Sequence, residues 1–157
     1  MSAPPDGDHA AVPFPPPLIY LAGLLAGVGL HFLLDLGEPP PAVRIAGGAV
    51  GVGAFILLNA NAMTRFRKAG TSPIPWHPSS ALVVEGVYKV TRNPMYLGMA
   101  FLFVGLAFAL GMLVALVFLP VVIVVVDRVV IAREEPYLDR KFGSDYVEYK
   151  QRVRRWL

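Results

Sequence analysis

The sequence predicts an all-α integral membrane protein with about four transmembrane helices and a C-terminal amphipathic helix on the cytoplasmic side. Three observations carry that expectation. The 157 residues are 55% hydrophobic and 16% charged, with a mean hydropathy of +0.57; soluble domains average about 45–50% apolar and about 25% charged. The apolar residues are gathered into runs long enough to cross a bilayer. The Lys and Arg residues mostly border those runs.

Residues 1–17 are Pro-rich and carry no Lys or Arg. They lack the positive start and short apolar run of a secretory signal, so they read as a flexible tail. Residues 18–157 read as a single membrane domain. The first span is residues 18–36, which would cover roughly 29 Å as a helix. "GEPPPA" then ends it. The second span is residues 43–63, and its Gly47, Gly48, Gly51 and Gly53 suit close approach of another helix. Residues 64–94 are polar and turn-rich, a long connection of the kind that often carries function. The apolar tract of residues 95–132 would run roughly 57 Å as one helix, too long for one crossing. It divides near Gly111 into spans 95–111 and 113–131, with Pro120 expected to kink the second.

After the last span, Leu138, Phe142, Tyr146, Tyr149, Val153 and Trp156 recur at spacings of three and four. That is one apolar face of an amphipathic helix, with a break expected at Gly143. The connection 64–94 and this tail hold most of the positive charge, so both are expected in the cytoplasm, with four spans returning the N-terminus to the same side. The cell (inner) membrane is the expected location.

Composition excludes several chemistries. With no Cys, disulfides, Cys-based zinc sites, iron–sulfur clusters and a Cys nucleophile are ruled out. The three His residues show no metal-ligand spacing, so no metal is expected. No GxGxxG or GxxxxGK[ST] loop is present, nor a GxSxG elbow. The formal charge of +3 is placed by membrane topology, and no nucleic-acid partner is expected.

The polar residues near the spans each have two readings. Arg92 and Tyr96 suit interface anchoring, and Pro94 suits the first turn of a helix. Glu134 and Glu135 complement a helix dipole or bind a ligand. His31 and Asp35 lie four apart, where they could share a helix face. Asn59 and Asn61 suit hydrogen bonds between helices. Asp127 and Arg128, near the end of the fourth span, suit pairing with neighbours.

Taken together, "LVVEGVYKVTRNPMYLG" and, about 35 residues later, "REEPYLDRKFGSDYVEYKQRV" resemble the isoprenylcysteine carboxyl methyltransferase family, related to the phospholipid methyltransferases. The family pattern is Gly-x-Tyr, Arg-His-Pro-x-Tyr-x-Gly, a helical hairpin, Glu-Glu-x-x-Leu, Phe-Gly-x-x-Tyr and a basic end. This chain supplies Gly86, Tyr88, Arg92, Pro94, Tyr96 and Gly98, then Glu134, Glu135, Leu138, Phe142, Gly143, Tyr146 and Tyr149. The resemblance covers roughly residues 80–155. It implies S-adenosylmethionine as methyl donor, with S-adenosylhomocysteine as product, and a lipophilic acceptor (carboxylate, amine or thiol) entering from the bilayer.

The resemblance also implies a pocket built from segments 80–98 and 133–150. Ser80, Ala81, Leu82, Val83, Tyr88, Asn93, Pro94, Met95, Tyr96 and Glu134 would line it. Arg133, or else Arg128, would orient an anionic acceptor, and Glu135 would add a polar wall. Two positions depart from the pattern: Asn93 stands for the family's His, and Val130 for an Arg one turn before the acids. Asn cannot titrate as His does. The alternative expectation is a non-catalytic membrane scaffold that keeps the fold. The oligomeric state is open.

Overall fold

Prolines start the main helices, because their missing N–H and fixed φ cost nothing in a first turn. In the computed structural model, which describes residue 10, residues 12–74 and residues 77–157, α1 is Pro16–Leu34, α2 is Pro41–Lys68 and α3 is Pro94–Ala109. A continuous helical run, Leu113–Phe142, follows. It opens as a 3₁₀ turn (Leu113–Phe118), becomes α4 (Leu119–Val125), widens to a π-helical turn (Val126–Ile131) and continues as α5 (Ala132–Phe142). The last helix, α6, is Ser144–Arg152. All regular structure among the described residues is helical.

Three of these helical runs are long and apolar enough to cross a membrane: Pro16–Leu34, Pro41–Lys68 and Leu113–Phe142. The fourth apolar helix, α3, has 16 residues and spans about 24 Å. The protein is an integral membrane protein of several apolar helices. Large apolar side chains such as Phe32, Leu33, Ile45, Val50, Leu57 and Val117 cover its outer face, as a hydrocarbon surrounding requires.

Four differences from the expected spans have local causes. The second helix runs on past Met63 to Lys68, because Thr64–Lys68 contains no breaker and ends in Arg65, Arg67 and Lys68, which suit a helix C-terminus. The fourth span does not stop at residue 131 but passes straight into the amphipathic segment. Pro120 falls in the first turn of α4, where it needs no kink. The N-terminal tail expected over residues 1–17 falls mostly outside the described residues, but Ala10 and Val12 are buried and the helix already begins at Pro16. Gly111 does turn the chain between the third and fourth helices, with φ +75°, and Gly143, with φ +53°, separates α5 from α6.

The glycines of α2 let it lie directly on α3. A Cβ on Gly51 would stand 2.4 Å from Gly105 Cα, and one on Gly48 would stand 3.1 Å from Ala109 Cβ. Gly98 of α3 receives the Asn59 amide, which also donates to Phe55 O at 3.0 Å. Asn61 accepts from Val87 N–H at 3.3 Å, so of the two Asn residues this one joins α2 to the connection. His31 is buried within α1, whereas Asp35 lies just beyond the helix end and is exposed.

The tail is part of the bundle. Tyr146, Tyr149 and Val153 are buried with Ala62 and Tyr88, while Leu138 and Phe142 pack against them. Trp156 packs against the second cluster, which includes Tyr96, Phe103, Val126 and Ile131.

Candidate cofactor site

The connection between α2 and α3 is shaped by its glycine and its polar anchors. Gly86 takes φ +63° and opens a 3₁₀ turn, Gly86–Lys89. A side chain there would collide with Asn61 Oδ1 at 2.5 Å and Arg65 Nε at 2.7 Å. Arg65 also pairs with Glu85 at 3.2 Å. Tyr149 OH donates to Tyr88 O at 2.7 Å, and Phe66 meets the Tyr88 ring edge-on with centroids 5.7 Å apart. Tyr88 is thereby held on α2 from one side and α6 from the other.

Pro94 begins α3 and places Tyr96 one turn in. Tyr20 OH of α1 donates to Tyr96 O at 2.9 Å. Tyr96 OH donates to Glu134 Oε1 at 2.5 Å, which joins the two segments across 38 residues of chain. Beside it, Glu135 Oε1 forms an ion pair with Arg92 Nη1 at 2.9 Å, and both side chains are largely covered. Neighbouring acids in sequence thus divide their work: Glu134 binds a phenol, and Glu135 binds guanidinium groups.

These side chains surround a cavity of about 370 Å³ with mainly apolar walls. Of the residues named from the sequence, Ala81, Leu82, Val83, Tyr88, Asn93, Pro94, Met95, Tyr96, Glu134 and Glu135 line it. Ser80 does not: its N–H donates to Thr71 Oγ1 at 2.9 Å and its hydroxyl to Gly70 O at 3.1 Å, closing the loop behind the wall. Arg128 and Arg133 are not brought to the cavity. The Arg128 side chain is 80% exposed; Arg133 is exposed and donates back to Val129 O at 2.5 Å. The cation that the cavity wall does contain is Arg92. Val130, where the family pattern has Arg, is completely buried.

Sequence reasoning had placed Arg92 in the segment expected to form one wall of the pocket, but had not nominated Tyr137, Tyr146 or Tyr149 individually, nor Met63 and Phe66 from α2; all of these line the cavity. The six-residue apolar stripe of the tail was the signal for Tyr146 and Tyr149. For Met63 and Phe66 no local signal exists, because their place depends on how far α2 extends.

Burial pushes the Tyr146 phenol up to about 12, with Glu135 adding to the rise and Arg92 opposing it. Burial raises Tyr88 and Tyr149 above the ordinary phenol range as well. All three phenols therefore stay protonated and neutral, and Tyr149 donates to Tyr88 O.

A membrane helical bundle with a ligand-sized cavity at one end, closed by a polar loop and an amphipathic tail, is the class of protein that this geometry defines. The phospholipid methyltransferase family model matches residues 43–145, and the chain belongs to that family. Among relatives, a protein of Haemophilus influenzae described only as uncharacterized is 43% identical over 63 residues, which are 40% of this chain and all of that protein. Protein-S-isoprenylcysteine O-methyltransferase B of Arabidopsis thaliana is 40% identical over 72 residues, 46% of this chain and 36% of that protein. No solved structure matches the chain.

Proposed function

We propose that the protein is an S-adenosylmethionine-dependent methyltransferase that methylates a lipophilic acceptor at the cytoplasmic face of the cell membrane. The observation that supports this reading best is the Tyr96–Glu134 hydrogen bond of 2.5 Å in the wall of a largely apolar cavity of about 370 Å³. A volume of this order suits a nucleoside-sized ligand. The apolar and aromatic walls suit adenine, and the second oxygen of the Glu134 carboxylate is an acceptor for ribose hydroxyls. Tyr88, Asn93, Pro94, Met95 and residues 81–83 complete the proposed cofactor wall.

When bound, S-adenosylmethionine supplies an electrophilic methyl group: the acceptor's lone pair forms the new bond to carbon while the S–CH₃ pair returns to sulfur. What the chain must do is align donor and acceptor within about 3–3.5 Å and exclude water. Buried Tyr96 and the apolar wall serve the second task. Arg92, paired with Glu135, is the group placed to meet an anionic part of either ligand. Val130 stands where the resembling prenylcysteine enzymes have an Arg for the substrate carboxylate, and Arg128 and Arg133 are exposed away from the cavity, which favours a different lipophilic acceptor.

The test is calorimetric binding of S-adenosylhomocysteine to the purified protein in detergent and in lipid, beside Tyr96→Phe and Glu134→Gln. Wild type should bind, and each variant should bind about tenfold or more weakly, the usual scale for losing a hydrogen bond to a charged group. A folded wild type that fails to bind in either medium would reject the reading and favour the scaffold.

A further inference from the structure

Beyond α6, residues 153–157 turn back along the cavity wall. Their carbonyls take three donors from the segment that opens α3. Arg154 O accepts from Arg92 N–H at 3.0 Å. Arg155 O accepts from Thr91 Oγ1 at 3.1 Å and from Asn93 Nδ2 at 2.9 Å.

The Arg155 side chain reaches the opposite wall. Its Nε and Nη2 donate to the two oxygens of Glu135 at 3.1 and 2.5 Å. Its Nη1 lies 3.1 Å from both oxygens of Asp127, and Trp156 Nε1 donates to Asp127 Oδ1 at 3.1 Å. Because Glu135 also holds Arg92 at 2.9 Å, the four charges form an alternating row: Asp127, Arg155, Glu135, Arg92. Arg155 is not itself among the residues that line the cavity.

The helix is shaped to allow this. Asp127 and Glu135 are eight residues apart, which on an α-helix would leave them about 80° apart around the axis. The π-helical turn Val126–Ile131 is wider and turns less per residue, so one planar guanidinium spans both carboxylates.

We propose that Arg155 is a positioning residue of this site, holding Arg92 and Asn93 in the cavity wall through Glu135 and through its own backbone carbonyl. This rests on the reading of the cavity as a cofactor site. Without the fork, Glu135 is free to follow Arg92, and the strap that accepts the Arg92 and Asn93 donors loses its charged anchor and keeps the weaker tie of Trp156 to Asp127. Arg155 stands outside the cavity lining, so its effect on a bound ligand is exerted through Glu135, Arg92 and Asn93.

Two readouts on the full-length protein test the proposal. The first is affinity for S-adenosylhomocysteine in a double-mutant cycle of Arg155→Ala and Glu135→Gln. The second, which needs no ligand, is hydrogen exchange at the Arg92 amide, the donor to Arg154 O. Arg155→Ala should weaken binding about tenfold or more, but by less than about twofold once Glu135→Gln is present. Exchange at Arg92 should rise in Arg155→Ala and stay unchanged in Arg152→Ala, an exposed neighbour. If Arg155→Ala does not fold, Arg155→Lys takes its place, since it keeps the charge and loses the fork. Wild-type exchange at Arg92 in the variant, or the same loss of affinity in both backgrounds, would overturn the proposal. A wild type that binds no S-adenosylhomocysteine rejects the cofactor reading, and exchange at Arg92 alone then decides for or against the positioning role.

Discussion

Tyr149 joins the tail to the connection by one hydrogen bond, from its hydroxyl to Tyr88 O at 2.7 Å, in a buried setting. Tyr149→Phe keeps the ring and leaves that carbonyl without its donor. It should lower stability by about 1 kcal/mol, read as a shift of the denaturation midpoint in detergent. The pH dependence has a definite sign. Burial raises the Tyr149 and Tyr88 phenols above their ordinary value, so the unfolded chain loses those protons first. Their contribution is therefore fully present below about pH 10 and declines as the pH rises beyond it. Asn93 is a second lesson at this scale. Its departure from the family His was visible in the sequence, yet its partner, Arg155 O, lies 62 residues away and no local pattern names it.

At the level of elements, the glycines of α2 are unequal. Gly51 faces the backbone of Gly105, with 2.4 Å left for a Cβ, whereas Gly53 has nothing within 4 Å. Gly51→Ala should force α2 and α3 apart and cost about 1–3 kcal/mol. Gly53→Ala should be neutral or stabilising by up to about 1 kcal/mol, since it removes backbone freedom from the unfolded chain. Thermal denaturation of both variants in one detergent checks the pair, and equal effects would refute the assigned contact face. The sequence shows four candidate glycines at the second span; only the packing separates the contact positions from the idle ones. Helix ends were legible where Pro or Gly marks them, as at Pro94, Gly111 and Gly143. At residue 131 the change from apolar to charged composition suggested an end, but the helix runs on through the π-helical turn into α5.

For the whole molecule, the charged connection and the tail meet at one end of the bundle, while Gly37 lies in the turn between α1 and α2 at the other. With the positive-inside bias, the end bearing Arg140 and Lys141 is expected in the cytoplasm. The chain's lack of Cys permits a clean test by single substitutions. In intact cells with the outer barrier opened, Gly37→Cys should react with a membrane-impermeant maleimide. Arg140→Cys should react only after the cell membrane is permeabilised. The reverse pattern would invert the topology and place the cavity on the other side.

Composition and run length determined the class of this protein by themselves. Long apolar segments have no stable place in water, and in lipid the backbone must satisfy its own hydrogen bonds, so helices follow. The two motif segments likewise named stretches that the fold brings together around the cavity. Tertiary structure decided what stands inside it. Arg92, rather than Arg128 or Arg133, reaches the cavity, and Arg155 joins Glu135 to Asp127. The reason is physical. A guanidinium at the end of a long flexible side chain has the same local sequence signal whether it faces solvent or a carboxylate. Its direction is set by the helical phase carried through the π-helical turn and by the return of the C-terminal strap, both of which depend on contacts far apart in the chain.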